Sequence, residues 1–226
     1  MKKILLATAL SLCVSSAFAA STAVMKVTGT LTNSACTPEL SGGGVVDYGY
    51  IRLGELSADS VNQLGKKNID FTINCTVATK VAFFASDDRS SSKANVTVLN
   101  ATAGGADITA YDNYYFFGVG ETADGMKIGN YTLYVKDTQA VADGVTVDVV
   151  GQNQGWNENT WRKGSSIRAD GVYSGTVAQV GTTTPIAFKT ATFPLVTTLA
   201  IQDTNTLGIT DDTKLDGQAT ITLRYL

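Results

Sequence analysis

Short runs of alternating apolar and polar residues cover most of this chain, and nowhere do the apolar positions settle into the three-to-four spacing of a helix. The clearest runs are residues 69–75 (IDFTINC), 80–84 (KVAFF), 131–135 (YTLYV) and 145–149 (VTVDV). Turn-forming clusters punctuate them, at residues 41–44 (SGGG) and at the Asp-Gly pairs 124–125, 143–144, 170–171 and 216–217. This spacing predicts an all-β chain of antiparallel strands arranged as a sandwich. Residues 87–92 (DDRSSS) and 182–185 read as extended polar loops.

The two ends carry the cleanest alternation. Residues 20–31 place Ala23, Met25, Val27, Gly29 and Leu31 on one face and Lys26, Thr28 and Thr30 on the other. Residues 217–226 place Ala219, Ile221, Leu223 and Tyr225 against Thr220, Thr222 and Arg224. Each is a strand with one apolar face. On pattern alone, each reads equally well as an ordinary strand of the sandwich.

The first residues have a different logic. Lys2 and Lys3 precede an apolar run at 4–14, and Ala17-Phe18-Ala19 forms a small-residue cleavage site. The run is well short of the roughly 20 residues that cross a bilayer. Residues 1–19 are therefore expected to be a signal peptide, with the mature protein exported to the periplasm and then the cell surface. Leu12, inside the apolar run, argues against a lipid anchor on Cys13. Removing the leader leaves two cysteines, Cys36 and Cys75. An oxidising compartment favours a single disulfide between them, with two free thiols as the alternative.

The charge balance narrows the partners. The whole chain has a net charge of −3, and loss of Lys2 and Lys3 brings the mature protein to −5. No basic run exists to neutralise phosphates, so neither nucleic acid nor anionic lipid is an expected partner. Histidine is absent, which removes the usual general base and a frequent metal ligand. The many serines then cannot form a conventional triad, and no catalysis is expected. A calcium-loop echo at residues 212–217 fails, because Lys214 takes a ligand position and Leu223 stands where the bidentate Glu belongs. Gly118-Val119-Gly120 has no helix after it and is not a nucleotide loop. Neither metal nor cofactor is expected.

Residues 27–36 (VTGTLTNSAC) resemble the start of a chaperone–usher pilin, in which an alternating extension with an interior glycine leads into the first cysteine. The second cysteine, in residues 73–75 (INC), comes at about the family's interval, and Tyr225 is similar to its penultimate tyrosine. Residues 35–44, 47–49, 88–90, 116–120 and 127–131 are also similar to a group of enterobacterial fimbrial-like proteins of poorly assigned role. The resemblance implies an immunoglobulin-like β-sandwich, incomplete by one strand, with a hydrophobic groove and an unpaired sheet edge. It implies a periplasmic chaperone, an outer-membrane usher and neighbouring pilus subunits as partners. A strand lent by the chaperone would later be replaced by the N-terminal extension of the next subunit, a known form of β-strand addition. Carried onto this chain, Ala23, Met25, Val27, Gly29 and Leu31 form the donor face, and Gly29 suits a place with no room for a Cβ. Ala219, Ile221, Leu223 and Tyr225 border the groove, and the Leu226 carboxylate meets basic chaperone residues.

The expected organisation is a leader at 1–19, a donor extension at 20–31 and one pilin-like sandwich at 32–226. The chain is longer than a usual structural pilin, and the excess falls at about 95–184 as enlarged loops or extra strands. Aromatics cluster at Tyr111, Tyr114, Tyr115, Phe116 and Phe117, and again at Trp156 and Trp161, near several Asp and Asn residues. Tyr114, Trp156 and Trp161 are thus candidates for a ligand surface contacting a host glycan or protein receptor, set against packing in the core or a loop. Three functions follow in order: a fibre subunit supporting cell adhesion, a receptor- or carbohydrate-binding adhesin on the same fold, and a carboxylate-based secreted hydrolase for which no paired acids stand out.

Overall fold

The computed structural model describes residues 25–27, 29, 35–154 and 160–226. The chain divides into two compact units, Met1–Asn33 and Ser34–Leu226. In the first, Met25 and Val27 are 87% and 88% exposed, and open space surrounds the position a Cβ would take on Gly29. Ala23 and Leu31 lie outside the described residues.

The second unit is nearly all β. Its strands are β1 (Cys36–Leu40), β2 (Asn62–Thr79), β3 (Val81–Asp87), β4 (Phe117–Gly118), β5 (Gly129–Val135), β6 (Val141–Ala142) and β7 (Val145–Thr146). They continue as β8 (Asp148–Asn153), β9 (Arg162–Lys163), β10 (Ser166–Ile167), β11 (Tyr173–Ala178), β12 (Phe188–Ile201) and β13 (Ala219–Tyr225). A single helical turn, α1 (Thr204–Leu207), is capped by the Asp203 carboxylate, which accepts from the Thr206 N–H.

The strands form two antiparallel sheets. The larger runs β1-β2-β12-β5-β10, with β4 added on β5 and the β6–β7 hairpin on β12; the smaller runs β13-β3-β11-β8-β9. Alternation explains how they face each other. Ile69, Phe71 and Ile73 of β2, Val81, Phe83 and Ala85 of β3, and Phe193 and Leu195 of β12 all join one buried core. Phe83 meets Phe71 and Phe193 edge-on, with ring centroids 5.0 and 4.9 Å away. The architecture is the expected sandwich.

Proline within a central strand ordinarily removes a ladder bond, yet β12 carries Pro194. On one flank β12 pairs with β6 at Ala191 and Thr192 and with β5 only from Leu195 onward. Pro194 sits in the gap between those neighbours, and its carbonyl accepts from the Lys136 N–H at 2.7 Å.

The long middle of the chain builds extra structure of two kinds. Several two-residue strands extend the sheet rims. Residues 93–116 instead fold over the outer face of the larger sheet, where Val98, Ala101, Ile108 and Phe116 bury against Ala200 of β12. Two amide side chains fasten this cover by imitating a backbone bridge. Asn130 of β5, fully buried, accepts from the Val96 N–H and donates to the Val96 carbonyl, both at 3.0 Å. Gln63 of β2 accepts from the Leu99 N–H and donates to the Thr97 carbonyl.

Two sequence expectations change. The run at 145–149 is not one strand, since Val145 and Thr146 pair within the larger sheet while Asp148 and its successors join the smaller one. The buried Val147 marks the switch between sheets. Asp216-Gly217 makes no turn: Asp216 is fixed by the Arg89 guanidinium, and its N–H donates to the Val119 carbonyl. A long-range ion pair takes the place of the local bend.

Candidate functional site

The site expected at the C-terminal strand lies where both sheets end on the same side. Among the described residues, β1 pairs only with β2 and β13 only with β3, so each presents one unpartnered edge. The two edges approach each other, and the Tyr225 hydroxyl accepts a 2.9 Å hydrogen bond from the Cys36 N–H. Along this seam the core is incompletely covered. Cys36 and Leu40 of β1 and Ala219, Ile221 and Leu223 of β13 are only half-buried, yet all pack against the main core.

Local sequence explains each edge. On β13, alternation turns Ala219, Ile221 and Leu223 inward and leaves Thr220 and Thr222 exposed. Arg224 breaks the strict pattern, being half-buried and donating through Nη2 to the Gln152 Oε1 at 3.0 Å. Tyr225 is 53% exposed and Leu226 47%, and the Leu226 N–H donates to the Lys80 carbonyl, extending the pairing with β3. On β1, Pro38 and Glu39 face solvent, as suits an edge that must not pair freely. Cys36 and Cys75 are direct cross-strand partners joined by a disulfide. Closing a loop of this length stabilises by about 4 kcal/mol in the chain-entropy view, and it fixes the edge strand to the sheet.

A bracket of polar groups sets where β13 begins. The Asp88 N–H donates to the Gln218 carbonyl, and Asp88 Oδ2 accepts from the Thr220 hydroxyl at 2.8 Å. Arg89 grips Asp216 through two hydrogen bonds of 2.9 and 3.3 Å. Asp87 accepts from the N–H groups of Arg89 and Gly118. Burial raises the Asp87 pKa above the usual carboxylate value, and those two hydrogen bonds oppose the rise only in part. At Gly118 a Cβ would stand 2.2 Å from the Arg89 carbonyl oxygen, so no side chain fits there without moving the backbone. Residues 87–92, read from sequence as a polar loop, are thus a structural anchor. The clue was the acidic pair followed by arginine, but its partner at Asp216 lies too distant in sequence to be guessed.

The aromatic candidates separate. Tyr114 meets Tyr115 at a tilt of 50° with ring centroids 4.6 Å apart, lies 4.2 Å from the Arg168 guanidinium, and donates its hydroxyl to Asp112. That hydrogen bond first, and burial second, raise the Tyr114 pKa. Arg168 is in turn paired with Asp170. One face of the Tyr114 ring is therefore occupied within the protein. Trp161 is half-exposed just before β9, and Trp156 falls outside the described residues. No group of three or more His, Cys, Asp or Glu side chains suited to a metal occurs among the described residues, nor is any described helix long and apolar enough to cross a membrane.

Comparison with known proteins gives two relatives of nearly full length. Protein GltF of Escherichia coli K12 is 32% identical over 228 residues, covering 89% of this chain and 87% of its own. Uncharacterized protein YhcF of the same organism is 32% identical over 230 residues, covering 93% of each chain. Residues 25–132 match a family model described as a protein of unknown function, DUF1120.

Proposed function

The chain belongs to the same family as GltF and YhcF, and we propose that it is an exported, non-catalytic subunit of a chaperone–usher surface fibre supporting cell adhesion. In this reading the sandwich is immunoglobulin-like and short of one strand, and a partner's strand completes it along the β1–β13 seam. A periplasmic chaperone lends that strand first. The face formed by Ala23, Met25, Val27, Gly29 and Leu31 of a neighbouring subunit replaces it after passage through an outer-membrane usher.

The observation that carries the reading is the pair of unpartnered edges, β1 and β13, converging over a half-covered apolar seam. An inserted strand would find main-chain donors and acceptors on the free edge of β13 and apolar contacts at Leu40, Ile221 and Leu223, whereas on β1 the Cys36 N–H is held by Tyr225 and Pro38 has none to offer. The exposure of Met25 and Val27 accords with a segment whose apolar face has its partner elsewhere. Deleting residues 20–31 tests the assignment. The shortened chain should still reach the periplasm and form a one-to-one complex with a co-expressed chaperone, yet fail to enter fibres. Normal polymerisation of the deletion variant would end the donor assignment, and a stable monomer without any chaperone would mean that the sandwich is complete alone.

A further inference from the structure

The two edges that meet at the seam differ in what their backbones present. In a regular antiparallel strand, alternate residues turn both the N–H and the C=O to the same side. On β1, the Ala35 carbonyl accepts from the Thr76 N–H, so Ala35 faces β2 and Cys36 faces away from it. The register runs unbroken to Leu40, which puts Pro38 and Leu40 on the free side with Cys36. Donors are scarce there. The Tyr225 hydroxyl takes the Cys36 N–H, Pro38 has no N–H, and Leu40 alone keeps one to give.

The other edge is the reverse. Gln218 and Leu226 both bond toward β3, the first through the Asp88 N–H and the second through the Lys80 carbonyl. The seven residues between them keep one register with β3. Thr220, Thr222 and Arg224 therefore turn their backbone groups to β3, while Ala219, Ile221, Leu223 and Tyr225 turn theirs outward. The side chains of Ala219, Ile221 and Leu223 also pack against the main core. A free backbone edge and apolar contacts thus coincide along Ala219–Leu223. Tyr225 ends the stretch, because its side chain reaches from the smaller sheet to Cys36 of the larger one.

We propose that the completing strand joins the smaller sheet through β13 alone, and that Tyr225 keeps β1 out of the ladder. This deepens the fibre reading and rests on it. The occupant is one extended segment of a neighbouring subunit, apolar at alternate residues and paired at Ala219, Ile221 and Leu223. Residues 20–31 have that pattern, and Met25 and Val27 within them are exposed. The Tyr225 hydroxyl acts as a positioning group. It satisfies the Cys36 N–H, which would otherwise compete for the carbonyls of the incoming strand, and it sets Leu223 as the last paired residue.

Backbone amide exchange tests this, read residue by residue by NMR on the full mature chain, with and without a synthetic peptide of residues 20–31. In the free chain Ala219, Ile221 and Leu223 should exchange at least tenfold faster than Thr220, Thr222 and Arg224. Saturating peptide should slow those three at least tenfold and leave the Leu40 amide unchanged. Tyr225→Phe, which keeps the ring and removes the hydroxyl, should speed exchange at Cys36 at least tenfold in the free chain. Protection of Leu40 together with Ile221 and Leu223 would overturn the one-sided ladder while leaving strand addition intact. Unchanged exchange at Cys36 in Tyr225→Phe would overturn the role given to that hydroxyl, and a β13 that gains no protection would overturn the choice of edge. The fibre reading is judged separately, by whether the chain lacking residues 20–31 still polymerises.

Discussion

The outer face of the larger sheet and the β1–β13 side pose the same physical problem and receive opposite answers. On the outer face, residues 93–116 fold back to bury Ala200 of β12 together with their own apolar side chains, held by Asn130 and Gln63 at two separate points. On the β1–β13 side, two sheet edges and five half-buried core contacts have no comparable cover among the described residues. Among the described residues a long segment seals one surface, while the rims of the other are reinforced by a disulfide and a polar bracket. The contrast accords with the proposed reading, in which an incoming strand completes the open side.

If that contrast is right, damage to each region should stay local. The largest effect belongs to the open side. Cys36→Ser or Cys75→Ser should lower stability by about 3–4 kcal/mol, and amide exchange should show β1 losing protection before β2 or β12. Uniform loss across both sheets would mean that the edge is not a separate unit. On the sealed side, Asn130→Ala leaves the Val96 N–H and carbonyl without partners, at a cost of roughly 1–3 kcal/mol. Exchange should then speed up within residues 93–116 while the seam keeps its protection. A smaller effect, about 1 kcal/mol, is expected for Thr220→Val, which removes the hydroxyl donor to Asp88. Its signature is faster exchange confined to the start of β13, and an unchanged β13 would show that the bracket does not hold the edge.

The sequence reading reached some of these features and missed others for identifiable reasons. Alternation in residues 69–75, 80–84 and 131–135 marked β2, β3 and β5, because each of those strands buries one face against the opposite sheet. Alternation likewise placed Ala219, Ile221 and Leu223 on one side of β13. The run at 145–149 misled, since its alternation continues unbroken through Val147 while the backbone changes sheets there. The cover over the outer face was invisible: Asn130 and Gln63 look like surface amides, and their role depends on backbone groups more than thirty residues away.

The finest test of the comparison uses two aspartates placed at opposite rims. Asp87 belongs to the bracket behind β13, and burial holds its pKa above the usual 3.8. Asp148 lies on the far rim, where the hydrogen bond from Lys163 and then the Gly181 N–H hold its pKa below that value. The signs are opposite. Asp148 favours the folded state above pH 3.8, and that contribution is lost as the pH falls through its lower folded value. For Asp87 the folded state holds its proton more tightly, so its contribution is full below pH 3.8 and fades as the pH rises through its higher folded value. Acid should therefore loosen the far rim while sparing the bracket. Melting curves of Asp148→Asn should decline less steeply below about pH 4 than those of the parent, and Asp87→Asn should decline more steeply on acidification, having lost the compensating proton uptake. If the two variants shift the acid limb in the same direction, the two rims do not respond as distinct electrostatic environments, and the bracket loses its claim to a separate role in holding the open edge.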